Sequence, residues 1–304
     1  MARRKKGLTE KSAETKLPKK SFTLAIPRPL VSKKEKEEDQ DKTSLFVPTE
    51  ILFTQQADFK PSSFSSDVLV TRNVPEVLKV IFKHGSVSER YGEDGLENDP
   101  TRQQIIIYTM ITCQKNLLWY QRATSEVKKS TKFIGDARLQ GRFTVGFGGH
   151  KSYKDIGFSR EELIFLRDLL PAIQDEVGTM LGLNHGFFRE VEEEIGVPRI
   201  SVQDLRLLGA FYDKRIEDPL LSVQVGWVHT GIAAVLEVNP EFIDHLTFRS
   251  SEIANAWWVP FDKVEKELRT KQGNWLKGKG PKIESWAEIM IKEFWKYYLT
   301  SSRV

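Results

Sequence analysis

Cysteine is almost missing from this chain. Cys113 stands alone among 304 residues, which excludes an intrachain disulfide and any zinc site built from cysteines, and a solitary thiol more often fills an apolar core than acts as a nucleophile. Missing too is an apolar run approaching the roughly 18–20 residues that cross a bilayer. The opening Met1-Ala2-Arg3-Arg4-Lys5-Lys6 is not followed by the apolar core of a signal peptide. The expectation is a soluble, cytoplasmic protein with no membrane partner. Net charge is also small, +4, but unevenly spread. Residues 1–44 carry 13 Lys and Arg against 7 Asp and Glu, a net of +6, so the rest of the chain sums to −2.

What is present divides the chain into three. Residues 1–44 mix Lys, Glu, Ser, Thr and Pro with one short apolar patch at 22–26, too little burial to offset ordering entropy, and read as a disordered tail. An electrostatic arm touching nucleic acid or an acidic partner is the functional alternative. Residues 45–100 form an N-terminal extension packing on the core. They include a short helix over 74–84 ended by Gly85, and a loop over 86–100 rich in Gly, Glu and Asp. From 101 the β-rich runs 104–112 and 116–122 form a hairpin through 113–115, and 142–147 makes another strand entering Gly148-Gly149-His150. Ser159 and Glu162 make a capping box for a helix that Pro171 splits, and a second helix over 187–195 is stopped by Gly196 and Pro198. Strands at 205–212, 223–238 and 256–259 follow, then helices at 261–268 and 283–299. In the last of these Trp286, Ile289, Met290 and Phe294 read as core contacts.

The informative segment is Arg189-Glu190-Val191-Glu192-Glu193-Glu194-Ile195-Gly196-Val197. At about 100° per residue, Glu190, Glu193 and Glu194 share one helical face, while Phe188, Val191 and Ile195 take the adjacent arc. Carboxylates so placed repel one another unless cations compensate, and hard divalent ions such as Mg²⁺ and Mn²⁺ prefer such oxygen clusters. A solvated, helix-favouring surface is the bland reading. It accounts neither for the apolar residues beside the acids nor for Arg189 and Gly196 bracketing them.

Residues 189–197 resemble the end of the Nudix box, in which Arg-Glu, a hydrophobe, any residue, Glu-Glu, any residue, Gly and a hydrophobe occur in that order. All seven specified positions match. The first half departs from the family: Asp175 and Leu181 stand where the box has a glycine and a glutamate. Gly146-Phe147-Gly148-Gly149-His150 is similar to the opening of the Nudix loop, which makes 151–184 an insertion inside the box. Arg138-Leu139-Gln140-Gly141-Arg142 is similar to the equivalent stretch of Nudix-like phosphoesterases. Residues 225–238 and 252–260 resemble the later strands of the fold.

The resemblance implies an α/β (α+β) protein, a Nudix-type α/β/α sandwich with a mixed sheet, its domain spanning 101–304. It implies a Mg²⁺- or Mn²⁺-dependent pyrophosphohydrolase with Glu190, Glu193 and Glu194 as metal ligands. One of them, or another nearby carboxylate, would be the base. Arg189 would orient the glutamates, the Gly149 carbonyl would be a further ligand, and Glu252 would be a late ligand or base with a capping role as its rival. His150, Arg138, Arg142 and Lys151 are candidates for phosphate, against structural or solvated roles; His229 is another. Tyr120, Phe147, Tyr153, Phe158 and Tyr212 are available to stack on a base, with core packing the leading explanation for each. The implied partner is a nucleotide-type small molecule. The altered first half of the box keeps open a nucleotide-sensing module, and the basic tail an RNA-processing factor.

Overall fold

The computed structural model describes residues 43–53, 57–91, 94–124, 139–150, 191–192, 195–196, 202–215, 225–246, 248 and 252–301. The rest of the expected tail, the whole of the 151–184 region with its capped helix, and Arg138, Lys151, Arg189, Glu190, Glu193 and Glu194 lie outside these residues.

Among the described residues eleven strands join one mixed sheet. They are β1 (Thr43–Pro48), β2 (Lys60–Pro61), β3 (Val68–Thr71), β4 (Ser86–Glu89), β5 (Arg102–Cys113), β6 (Asn116–Arg122), β7 (Phe143–Thr144), β8 (Gly146–His150), β9 (Val202–Asp213), β10 (His229–Val238) and β11 (Ile253–Pro260). The path runs β11-β6-β5-β10-β9-β3-β2, and β5 is its axis. One edge of β5 takes β10 in parallel. The other edge takes β1, β8 and β6 in succession, all antiparallel. Nearly every β5 residue is buried, as expected for a strand covered on both faces.

Alternation along β5 and β10 assigns the faces. Tyr108, Met110, Ala233 and Val235 pack with the C-terminal helices, where Trp286 meets Phe211 edge-on at 4.8 Å and Tyr108 at 5.4 Å between centroids. The opposite face is shared by two groups. Ile105, Ile107, Ile232 and Ala234 lie under helix Val74–His84 and helix Thr49–Leu52. Ile111 and Leu236 lie with Val191 and Ile195. Helical residues on both faces of a mixed sheet give the α+β class and layering expected.

Local chemistry explains several boundaries. Helix Val74–His84 buries Val77, Val80 and Ile81, spaced three and four apart, has proline in its first turn, and ends on Lys83 and His84 before extended Gly85. The β5–β6 connection holds Gln114 and Lys115 at φ 47° and 61°, the left-handed pair of a tight hairpin turn. Asn116 Nδ2 donates to the Cys113 and Gln114 carbonyls at 3.3 and 3.0 Å. Cys113 is core filler, its thiol pushed up by burial and by Glu237.

Some expectations need correction. Residues 86–100 are not all loop: β4 pairs with β1, because Val87 between two serines is a short strand that only a tertiary partner completes. The strand expected over 142–147 is two, β7 against β6 and β8 against β5. The long strand begins at His229, since Val225–Val228 is a 3-10 turn. The C-terminal helix carries a π-helical stretch, Met290–Trp295, that buries Met290, Ile291, Phe294 and Trp295. No helix among the described residues is long and apolar enough to cross a membrane.

Candidate functional site

Two features of β8 bear on chemistry. Gly148 lies so close to β5 that a Cβ would stand 2.1 Å from the Ile107 carbonyl oxygen, so the strand cannot carry a side chain there. Phe147, fully buried, packs in one cluster with Val191 and Ile195. The apolar side of the acidic segment is thereby seated beside the strand bearing Gly148 and Gly149. Residues 191, 192 and 195 are helical, Val191 and Ile195 are buried, and Glu192 is exposed. The helix stops at Gly196, at φ 66° with its N–H donating to the Glu192 carbonyl at 3.0 Å, the left-handed cap that glycine tolerates best.

At the far end of β8 a second constellation forms. His150 pairs with Ile106 across one edge of β5, and His229 with Gln104 across the other. Positions 104 and 106 are two apart, so both histidines project from the same face, the one carrying Tyr108 and Met110. The face that Val191 and Ile195 cover is the opposite one. His150 Nε2 and His229 Nε2 are 3.1 Å apart, and Glu97 Oε1 lies 3.7 Å from each. Glu97 comes from the 3-10 turn Leu96–Asn98 just before β5, anchored by fully buried Leu96. Its backbone N–H donates to the Arg90 carbonyl at 2.9 Å, and Arg90 Nη2 and Nε return to Glu97 Oε1 at 3.0 and 3.2 Å. Burial pushes the Glu97 carboxyl up, but His229, then His150 and Arg90, outweigh it and hold the group far below the ordinary carboxylate range. Among the described residues these three form the cluster able to hold a metal ion.

Other expected site residues border the cluster of Val191 and Ile195 or fill the core. Arg142 and Glu252 are half-buried at the β6 border, where the Arg142 carbonyl accepts from Arg122 N–H and the Glu252 carbonyl from Ala123 N–H, across β5 from β10. Tyr120 and Phe147 are fully buried and stack on each other at 4.5 Å, and Tyr212 is buried too; core packing claims all three. Exposed aromatics stand elsewhere. Trp227 is 48% exposed two residues before His229, and Tyr91 is 56% exposed beside Arg90. Glu97 escaped sequence reasoning because one glutamate in an acid-rich turn carries no periodic signal.

No family model matches the chain. It is 23% identical over 179 residues to Protein YmaB of Bacillus subtilis (strain 168), covering 59% of this chain and 70% of that protein. Among solved structures it is similar to Tm1382, described provisionally as a Nudix hydrolase, at 20% identity and a TM-score of 0.45, covering 82% of this chain and 95% of the other. It is also similar to DR0079 of Deinococcus radiodurans, at 14% identity and a TM-score of 0.34, covering 62% and 80%. A NUDIX-family hydrolase of Clostridium perfringens matches at 12% identity and a TM-score of 0.30, covering 64% and 97%.

Proposed function

We propose that this chain is a Nudix-type hydrolase that cleaves a phosphate anhydride in a nucleoside diphosphate-linked or nucleoside triphosphate substrate with Mg²⁺ or Mn²⁺. The observation that carries the reading is the joint burial of Val191, Ile195 and Phe147 in one cluster. It sets Val191 and Ile195, the apolar residues of the acidic segment, beside the strand of the paired glycines, and this supports the reading. Glu190, Glu193 and Glu194, which the sequence spacing puts on one helical arc, are the proposed all-oxygen donor set, of the kind that suits a hard divalent cation.

Bound there, such an ion would offset phosphate charge and acidify a water. Glu190, Glu193 and Glu194 would hold it, Arg189 would orient them, and the Gly149 carbonyl would be a further donor, on a strand that Gly148 lets approach β5 closely. One carboxylate of the set, or Glu252, takes the proton of the attacking water. Arg138, Arg142 and Lys151 are proposed to hold phosphate oxygens by charge-assisted hydrogen bonds. The altered positions Asp175 and Leu181 keep a second reading in play, a module that binds nucleotide without turning it over.

The test is a screen of the purified chain with Mg²⁺ or Mn²⁺ against dNTPs, NTPs, dinucleoside polyphosphates, NAD, nucleotide sugars and capped RNA. Release of phosphate, pyrophosphate or a nucleoside monophosphate is expected. Saturable binding without turnover across the whole panel supports the sensing module instead.

A further inference from the structure

The geometry points to a transition-metal site of the Zn²⁺ class formed by Glu97, His150 and His229, on the sheet face opposite the one that Val191 and Ile195 cover. A point equidistant from the three facing atoms lies about 2.0 Å from each, matching the roughly 2.0–2.2 Å at which Zn²⁺ takes imidazole nitrogen and carboxylate oxygen. The three residues come from three elements, the turn before β5, the end of β8 and the start of β10, and strand register brings the two histidines together. Their side chains are 20%, 16% and 5% exposed respectively.

The donor chemistry selects the ion. Two imidazoles and one carboxylate suit a borderline cation better than Mg²⁺. Arg90 already shares the charge of Glu97, which lowers the attraction for a hard ion while fixing the carboxylate orientation, as partners of metal ligands do. Gln104 borders the cluster. It is fully buried, its Nε2 lies 3.2 Å from His229 Nε2, and its Oε1 has no hydrogen-bond partner among the described residues. Three protein ligands also leave a position open to water or a phosphate oxygen.

The site does not rest on the hydrolase reading, and the experiment separates them. The full chain, stripped with chelator and dialysed, is titrated with ZnCl₂ by calorimetry in excess Mg²⁺, and in parallel with Co²⁺ followed in the visible region. One equivalent of Zn²⁺ and a Co²⁺ d–d band from mixed nitrogen and oxygen ligation are expected. His150→Ala and Glu97→Gln, checked for folding by circular dichroism, should weaken binding by more than about 100-fold, beyond the ~10–100-fold cost of losing an outer-shell partner. Glu193→Gln should keep it. Absence of Zn²⁺ uptake and of the Co²⁺ band in the unsubstituted chain overturns the site whatever the variants do. Folded His150→Ala and Glu97→Gln proteins that bind like the parent overturn it too, as does loss on Glu193→Gln instead.

Discussion

Gly148 shows how one residue can decide whether a strand fits. Its missing Cβ is what lets β8 close on β5, since the added carbon would stand 2.1 Å from the Ile107 carbonyl oxygen. Backbone cannot yield as a flexible side chain does, so Gly148→Ala is expected to cost about 1–3 kcal/mol, the range of overpacking, and to disturb His150 two residues on. Urea unfolding measures the first effect; a variant as stable as the parent would show that β8 shifts freely. The glutamates make a contrasting case. Glu193→Gln and Glu194→Gln should leave the melting temperature unchanged while lowering Mg²⁺-dependent turnover by about 100-fold or more, some 2.7 kcal/mol of barrier. Full activity in both, on a substrate the parent cleaves, removes the assigned ligands.

At the scale of the element, the helix ending at Gly196 carries its information in alternating character. Ile195→Ala opens a cavity where exposure is 0% and should cost about 2–4 kcal/mol. It should also depress hydrolysis, because it loosens the helix from Phe147. Glu192→Ala, on the exposed side, should change neither stability nor rate; if instead it matched Ile195→Ala in both, the assignment of the two sides would be wrong. The part of this helix that is described, Val191, Glu192 and Ile195 before Gly196, was legible in the sequence for a physical reason: a period of 3.6 and a glycine stop are local. The β5–β6 hairpin and helix Val74–His84 were legible for the same reason. The short strand β4, the break at Val145 and the His150–His229–Glu97 convergence were not. Each depends on a partner tens of residues away, and β4 acquires a ladder only when β1 lies alongside. The histidine pair depends on β8 and β10 flanking one strand, a topological fact that no window of neighbouring residues contains.

At the scale of the whole molecule, an ion pair ties the C-terminal helix to the residues that follow β9. Glu288 on the C-terminal helix receives Arg215 Nη1 at 2.7 Å, Lys292 Nζ at 2.6 Å and Gln272 Nε2 at 2.9 Å. Burial pushes its carboxyl up, but Lys292 and Arg215 prevail and hold it below its ordinary value. A carboxyl depressed by folding stabilises above its unfolded pKa, and that contribution is lost as pH falls through the folded one. Glu288→Gln should therefore cost about 1–3 kcal/mol near neutrality, with a deficit that narrows as pH falls through the carboxylate range. A deficit independent of pH in urea titrations would mean that the cost is packing alone. The N-terminal side offers the sharper test, because β1 borders β5 over Phe46↔Gln104 and Val47↔Gln103 and buries Leu45 and Val47 against helix Val74–His84. A chain starting at residue 41 keeps all of β1 and should unfold, and hydrolyse small nucleotides, as the full chain does. One starting at residue 49 loses the ladder on one edge of Gln104 while His229 still borders the other, and it loses two fully covered aliphatic side chains worth about 1.5–3 kcal/mol each. The shorter chain should melt well below the longer one and lose activity with its fold; equal melting temperatures would mean that β1 is an ornament of the sheet, and a loss of activity already at residue 41 would make the tail part of the catalytic domain.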